Sequence, residues 1–158
     1  MSNRKNGPLK LGRMIGEFNI KWIPEENLSS ILPLAFVLNN KKVSMDILQQ
    51  RLAAMIPMGY KCIGVYDQER LVGICGVWEL NKLYAGKHLE PDNVIIDPEY
   101  QGKKIGDLMM SFLTDYAKSI GCETMELNCY ANNNRGKQFW ENQGYEALGF
   151  HMIKRLKP

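Results

Sequence analysis

The chain has 158 residues, enough for one domain, and its balance of 45% hydrophobic to 23% charged residues is that of a globular protein rather than a disordered, collagen-like or membrane-spanning one. Lys and Arg number 20 against 17 Asp and Glu, and a surplus of three is too weak a field for a nucleic-acid binder. The longest nearly apolar run, 31–38, contains Pro33 and falls far short of the ~20 residues of a membrane helix. No apolar stretch follows Arg4 and Lys5, so the chain is expected to be cytoplasmic, with neither nucleic acid nor membrane as partner.

Residues 1–13 read as a loose basic leader and 14–158 as a single domain. Phe18, Ile20 and Trp22 alternate with polar neighbours, as in a half-buried strand. Pro24, Glu25 and Glu26 suit a helix start, and Pro33 is expected to interrupt that helix. Ser44 caps a second helix, in which Met45, Leu48, Leu52, Met55 and Ile56 recur until Pro57 and Gly59 stop it. Residues 61–66 and 71–80 form a hairpin about a turn at 67–70, and 89–96 supplies another strand. The clearest helix follows Gln101 and Gly102, with Ile105, Leu108, Met109, Phe112, Leu113, Tyr116, Ala117 and Ile120 on one face and Gly121 at its end. A strand at 124–129, a short helix at 135–142 closed by Gly144, and one or two strands within 145–156 complete the series. This order predicts a mixed α/β sheet flanked by helices, with a parallel crossover around the long helix. Four cysteines without a Cys-x-x-Cys pair, and only two histidines, point to buried thiols and no metal site.

Residues 94–108 read V-I-I-D-P-E-Y-Q-G-K-K-I-G-D-L, a buried strand and a tight turn followed by glycines and lysines that open a helix. The first amides of a helix lack internal partners and carry the positive end of its dipole, so this is anion-binding geometry. Lys103 and Lys104 add charge, and Gly102 and Gly106 allow backbone to approach a pyrophosphate. Neither a Walker loop nor a Rossmann fingerprint is present.

The run Gln101-Gly102-Lys103-Lys104-Ile105-Gly106 resembles motif A, (Q/R)-x-x-G-x-(G/A), of the GNAT family of N-acetyltransferases. Lys104 stands where that pattern has glycine, a position a lysine fits as long as its φ stays negative. A second segment, N-N-R-G-K-Q-F-W-E-N-Q-G-Y at 133–145, is similar to the family's N-x-x-A-x-x-F-Y-E-x-x-G-F. The resemblance is best over 94–145. It implies acetyl-CoA as cosubstrate and an amine-bearing small molecule, peptide or protein lysine as acceptor, in a monomer or homodimer.

By resemblance, Val94, Ile95 and Ile96 lend backbone groups to pantetheine, and Gln101, Gly102, Lys103, Lys104, Ile105 and Gly106 wrap the pyrophosphate. Asn133 bonds the cofactor or caps the following helix, and Trp140 stands where the family often has an acidic tyrosine. An indole does not serve as an acid, which leaves that role vacant, moved to Tyr130 or Tyr145, or filled by water. A primary amine with pKa near ~10 needs a base before it attacks a thioester. Glu90 aligns with the family's catalytic glutamate, and Asp92 and Val94 are expected on the same side of the strand. A degenerate acyl-CoA-binding sensor or scaffold is the alternative function.

Overall fold

The computed structural model describes residues 12–157. The expected leader therefore lies outside the described residues except for Gly12 and Arg13, which open a first strand, β1 (Gly12–Ile15), paired antiparallel with β2 (Phe18–Trp22). Phe18 and Ile20 turn inward, as their alternation requires.

Residues Glu25–Ile31 form tight 3-10 turns after Pro24, and α1 (Leu32–Leu38) begins only then. Pro33 thus starts a helix instead of interrupting one, because in the first turn its missing N–H has no partner to lose. In α2 (Met45–Met55) the Ser44 hydroxyl accepts from the Ile47 amide at 3.4 Å, and Gly59 ends the segment in the left-handed region at φ 93°. Strands β3 (Lys61–Asp67), β4 (Arg70–Lys82) and β5 (Gly86–Ile96) form consecutive hairpins. Helix α3 (Ile105–Ser119) crosses back to β6 (Thr124–Met125), which lies parallel to β5, and α4 (Asn134–Asn142) follows.

The six strands make one mixed sheet in chain order, antiparallel except for the last pair. Each face has its own core. Val65, Val77, Leu89, Met109 and Leu113 pack beneath α3, and Leu28, Leu34, Leu52, Cys62 and Ile74 pack beneath α1 and α2. All four cysteines are free, with Cys62 and Cys75 buried. Among the described residues, no helix is long and apolar enough to cross a membrane.

Two expectations differ at the carboxyl end. The strand expected at 124–129 keeps its ladder only through Thr124 and Met125, after which it diverges from β5. Residues 146–157 form no regular element, since a strand needs a neighbour for its backbone groups and none is beside them.

Candidate active site

The loop from β5 to α3 is built around Asp97. Its carboxylate accepts from the Glu99 amide at 3.0 Å, and Arg70 reaches across from β4 to Asp97 at 2.9 Å and to Glu99 at 2.7 Å. Tyr100 donates to Asp67 at 2.7 Å, while Arg70 and Lys103 lie over its ring at 5.2 and 4.9 Å. This network fixes the approach of Gln101, which is extended and exposed, to the helix.

Gly102 has φ 81°, and a Cβ there would meet open space. Only glycine adopts that backbone without strain, and the space in front of it is free for an anion. Lys104 is the N-cap of α3 with φ 60°, contrary to the expectation of a negative φ. The turn demands the left-handed region here, which explains the glycine of the family pattern and makes lysine a strained occupant. No side chain caps α3, so its first amides stay open. Ile105 is buried and offers only its backbone.

Gly106 has a packing role that the sequence did not show: a Cβ there would stand 2.9 Å from the Phe139 ring and 3.6 Å from Ile96, so this glycine lets α4 close onto α3 and the end of β5. Gln143 donates to Asp107 at 2.6 Å across the same junction.

On β5, Asn93 has φ 54°, and the register with β4 slips between Ile74 and Gly76, leaving Asn93 and Val94 opposite Cys75. This bulge reverses the side-chain alternation. Asp92 accepts from the Trp78 indole at 3.0 Å and Asn93 donates to the Tyr60 hydroxyl at 3.2 Å, both on the α1/α2 face. Val94 and Ile96 pack under α3, and Ile95 packs on the α1/α2 side. Val94 therefore does not share a side with Glu90 and Asp92, as unbroken alternation had suggested. Glu90 pairs with Trp78 across the ladder, and its carboxylate lies 3.9 Å from Nε2 of fully buried His88. Asp92 is occupied by the indole; among the described residues, Glu90 receives no such hydrogen bond.

The ladder between β5 and β6 ends where the Glu126 amide donates to Leu89 at 3.0 Å. Beyond it, the outer backbone edge of β5, including Val94, Ile95 and Ile96, has no strand against it among the described residues. The gap opens toward the uncapped start of α3.

From α4, Asn133 accepts from the Gly136 amide at 2.9 Å and so caps its own helix. Alanine at 136, as in the family pattern, would collide with that cap, and Gly136 accommodates it. Trp140 is wedged edge-on between Phe139 at 4.8 Å and Tyr145 at 5.4 Å, packed against the α3 core. The Tyr145 hydroxyl is buried without a hydrogen-bond partner among the described residues. Burial, with the Cys75 thiol nearby, pushes its pKa well above that of an ordinary phenol, so it stays protonated. Tyr130 is exposed.

A model of the acetyltransferase (GNAT) family matches residues 26–145. The chain belongs to this family of acyltransferases. It is 33% identical to glucosamine 6-phosphate N-acetyltransferase of Arabidopsis thaliana over 70 residues, a match spanning 44% of this chain and 45% of that protein. The solved structure of glucosamine-6-phosphate N-acetyltransferase from Arabidopsis thaliana superposes with TM-score 0.68 at 20% identity, covering 89% of this chain and 99% of the other. An aminoglycoside acetyltransferase from an uncultured soil metagenomic sample superposes with TM-score 0.78 at 14% identity, over 92% of this chain and all of the other (100%). At these identities the two superpositions establish the fold.

Sequence reasoning passed over Asn93, Trp78, Tyr60 and His88. An asparagine between apolar strand residues was the available sign of the first, because it tolerates the left-handed region better than its neighbours do. The three partners come from β4, from β5 and from the turn before β3, and no local pattern joins them. A concavity of about 540 Å³, lined in part by Trp22, Phe112, Asp115 and Tyr116, lies between the β1/β2 hairpin and α3 and involves none of these groups.

Proposed function

We propose that the chain is an N-acetyltransferase that moves an acetyl group from acetyl-CoA to the primary amine of an amino sugar. The observation that carries this reading is the open start of α3 beside the unpaired outer edge of β5, with Ile96 in reach of Gly106. The residues fit the cosubstrate: the open amides and Gly102 suit a pyrophosphate, and the free edge of β5 suits the amide groups of pantetheine. Acetyl-CoA supplies the activated acyl group as a thioester.

Glu90 accepts the proton of the acceptor ammonium on the α1/α2 side. Asp92, held by Trp78, shapes the same wall. Tyr145 lies on the other face, and its raised pKa suits a hydroxyl that donates a hydrogen bond to the departing sulfur while keeping its proton. Trp140 packs and takes no part in proton transfer. The glucosamine 6-phosphate acetyltransferase relative supports an amino-sugar acceptor over a peptide amine.

The test has three arms. Acetyl-CoA should raise the melting temperature by mass action. Thiol should be released with glucosamine 6-phosphate or glucosamine and not with a lysine peptide. Glu90→Gln should then lower turnover by about 10²–10⁴-fold with acetyl-CoA affinity unchanged, while Asp92→Asn has the smaller effect. Absence of a thermal shift at millimolar acetyl-CoA would overturn the reading, and a shift without thiol release for any amine would reduce it to binding alone.

A further inference from the structure

His88 is fully buried, and Nε2 of its ring has no hydrogen-bond partner among the described residues. A buried polar atom left bare is costly, so its presence needs a reason. The other ring nitrogen settles what Nε2 can do. Nδ1 lies 3.4 Å from the Gly86 carbonyl oxygen, and because a carbonyl only accepts, that contact requires the proton on Nδ1. In the neutral ring Nε2 is then a lone pair.

That lone pair faces a carboxyl group. His88 and Glu90 are two residues apart on β5 and project on the face opposite Leu89, toward α1 and α2, with the Glu90 carboxylate 3.9 Å from Nε2. The enclosed imidazole is held in place, whereas the Glu90 side chain is 22% exposed and closes the distance by turning about its own outer torsions. The other charged groups on this face are engaged elsewhere. Lys82 of β4 and Glu126 of β6 pair with each other at 3.2 Å across β5, and Asp92 accepts from the Trp78 indole at 3.0 Å. The two carboxyl groups of β5 therefore have opposite partners. An indole N–H bonds a carboxylate and has nothing to offer a carboxylic acid, while a lone pair bonds the acid and has nothing to offer the carboxylate.

We propose that His88 is a positioning residue that receives the proton Glu90 takes from the acceptor ammonium. This rests on the reading of Glu90 as proton acceptor given above. The ammonium N–H bond breaks toward a Glu90 carboxylate oxygen, the new O–H donates to Nε2, and the proton is held between the two. The freed electron pair of the amine attacks the acetyl carbon. As the C–N bond forms the C–S bond breaks, the thiolate takes the proton that the new amide nitrogen sheds, and the held proton leaves to solvent along Glu90. While the proton is held, glutamate and histidine together carry no net charge, so the step adds none to a buried place.

The test is a double-mutant cycle on turnover with glucosamine 6-phosphate and acetyl-CoA. His88→Leu, which suits a fully buried place and has no lone pair, should lower kcat about 10–100-fold and leave the acceptor KM and acetyl-CoA affinity within about twofold. His88→Gln, whose amide oxygen stands near the place of Nε2, should recover most of that loss. In the Glu90→Gln background His88→Leu should cost nothing further, because its effect passes through Glu90; a ring that merely fills space would slow both backgrounds alike. Nitrogen NMR of labelled histidine in the unmutated protein at about pH 8 should show His88 with its proton on Nδ1 and a bare Nε2, a readout that stands even if His88→Leu does not fold. Wild-type kcat in His88→Leu, an equal cost in both backgrounds, or an Nε2–H in the resting protein would each overturn the relay and leave the acetyltransferase reading in place. A wild type that releases no thiol with any amine would overturn that reading and the relay together.

Discussion

Alanine at position 106 would place a methyl carbon 2.9 Å and 3.0 Å from two ring atoms of Phe139 and 3.6 Å from Ile96. The ring has little freedom to withdraw, because Trp140 abuts it at 4.8 Å and both pack on the α3 core. Overpacking of this kind costs about 1–3 kcal/mol, and the better helix propensity of alanine returns up to about 1 kcal/mol. The net expectation for Gly106→Ala is a loss of about 1–2 kcal/mol, or a fall in melting temperature of about 2–8 °C for a domain of this size. Urea unfolding of the wild type, Gly106→Ala, Phe139→Leu and the double variant closes a thermodynamic cycle. In the Phe139→Leu background, where the ring edge is gone, the alanine should cost less than about 0.5 kcal/mol. A neutral or stabilising Gly106→Ala, or the same cost in both backgrounds, would refute the assignment of this glycine to helix packing.

Lys104→Gly should raise stability by about 0.5–1 kcal/mol, since relief of the left-handed strain outweighs the added freedom of the unfolded chain; a lower urea midpoint would count against that. Tyr145→Phe removes a buried hydroxyl without a partner, so stability should hold or rise while turnover falls; loss of stability would reveal a partner the hydroxyl does not have here. Burial raises the pKa of Cys62 to about 12 and pushes Cys75, Tyr60 and Tyr145 upward as well. Above about pH 8.5 the unfolded chain loses protons that the folded one keeps, so unfolding free energy should fall as pH rises and fall more steeply beyond about pH 10, where tyrosines join. Guanidinium midpoints that stay level from pH 7 to about 10.5 would contradict this burial-driven linkage.

Much of the fold was legible because its elements obey short-range periodicities. The 3.6-residue repeat from Ile105 to Ala117 and the alternation of Phe18, Ile20 and Trp22 are each visible within a short stretch of sequence. The helix-opening loop was legible for the same reason, as glycines and lysines at fixed spacing after a strand. What escaped depends on contacts far along the chain. The packing role of Gly106 cannot be seen without Phe139, 33 residues later in sequence. The positive φ of Lys104 is set by a loop geometry that lysine itself disfavours. The carboxyl-terminal segment, with Leu148, Phe150 and Met152, alternates as a strand should, but alternation states which face is apolar and not what will cover it.

The bulge at Asn93 joins these matters, because it lets one strand serve two unlike surfaces. With strict alternation, Glu90, Asp92, Val94 and Ile96 would share a face. Either the two carboxylates would enter the core under α3, where unpaired charge is costly, or the two apolar residues would leave it. Two residues of β5 opposite one of β4 resolve the conflict. Asp92 and Asn93 meet Trp78 and Tyr60 on the α1/α2 side, and Val94 and Ile96 rejoin the core. Gly76 lies opposite Asp92, and any Cβ there would strike Tyr60, so the glycine makes room for the ring that holds Asn93. The bulge is thus fastened from the neighbouring strand as well as from its own sequence. Its position, between the carboxylates and the unpaired edge of β5, makes the strand's local irregularity the feature that brings two carboxylates and a free backbone edge into one region of the molecule.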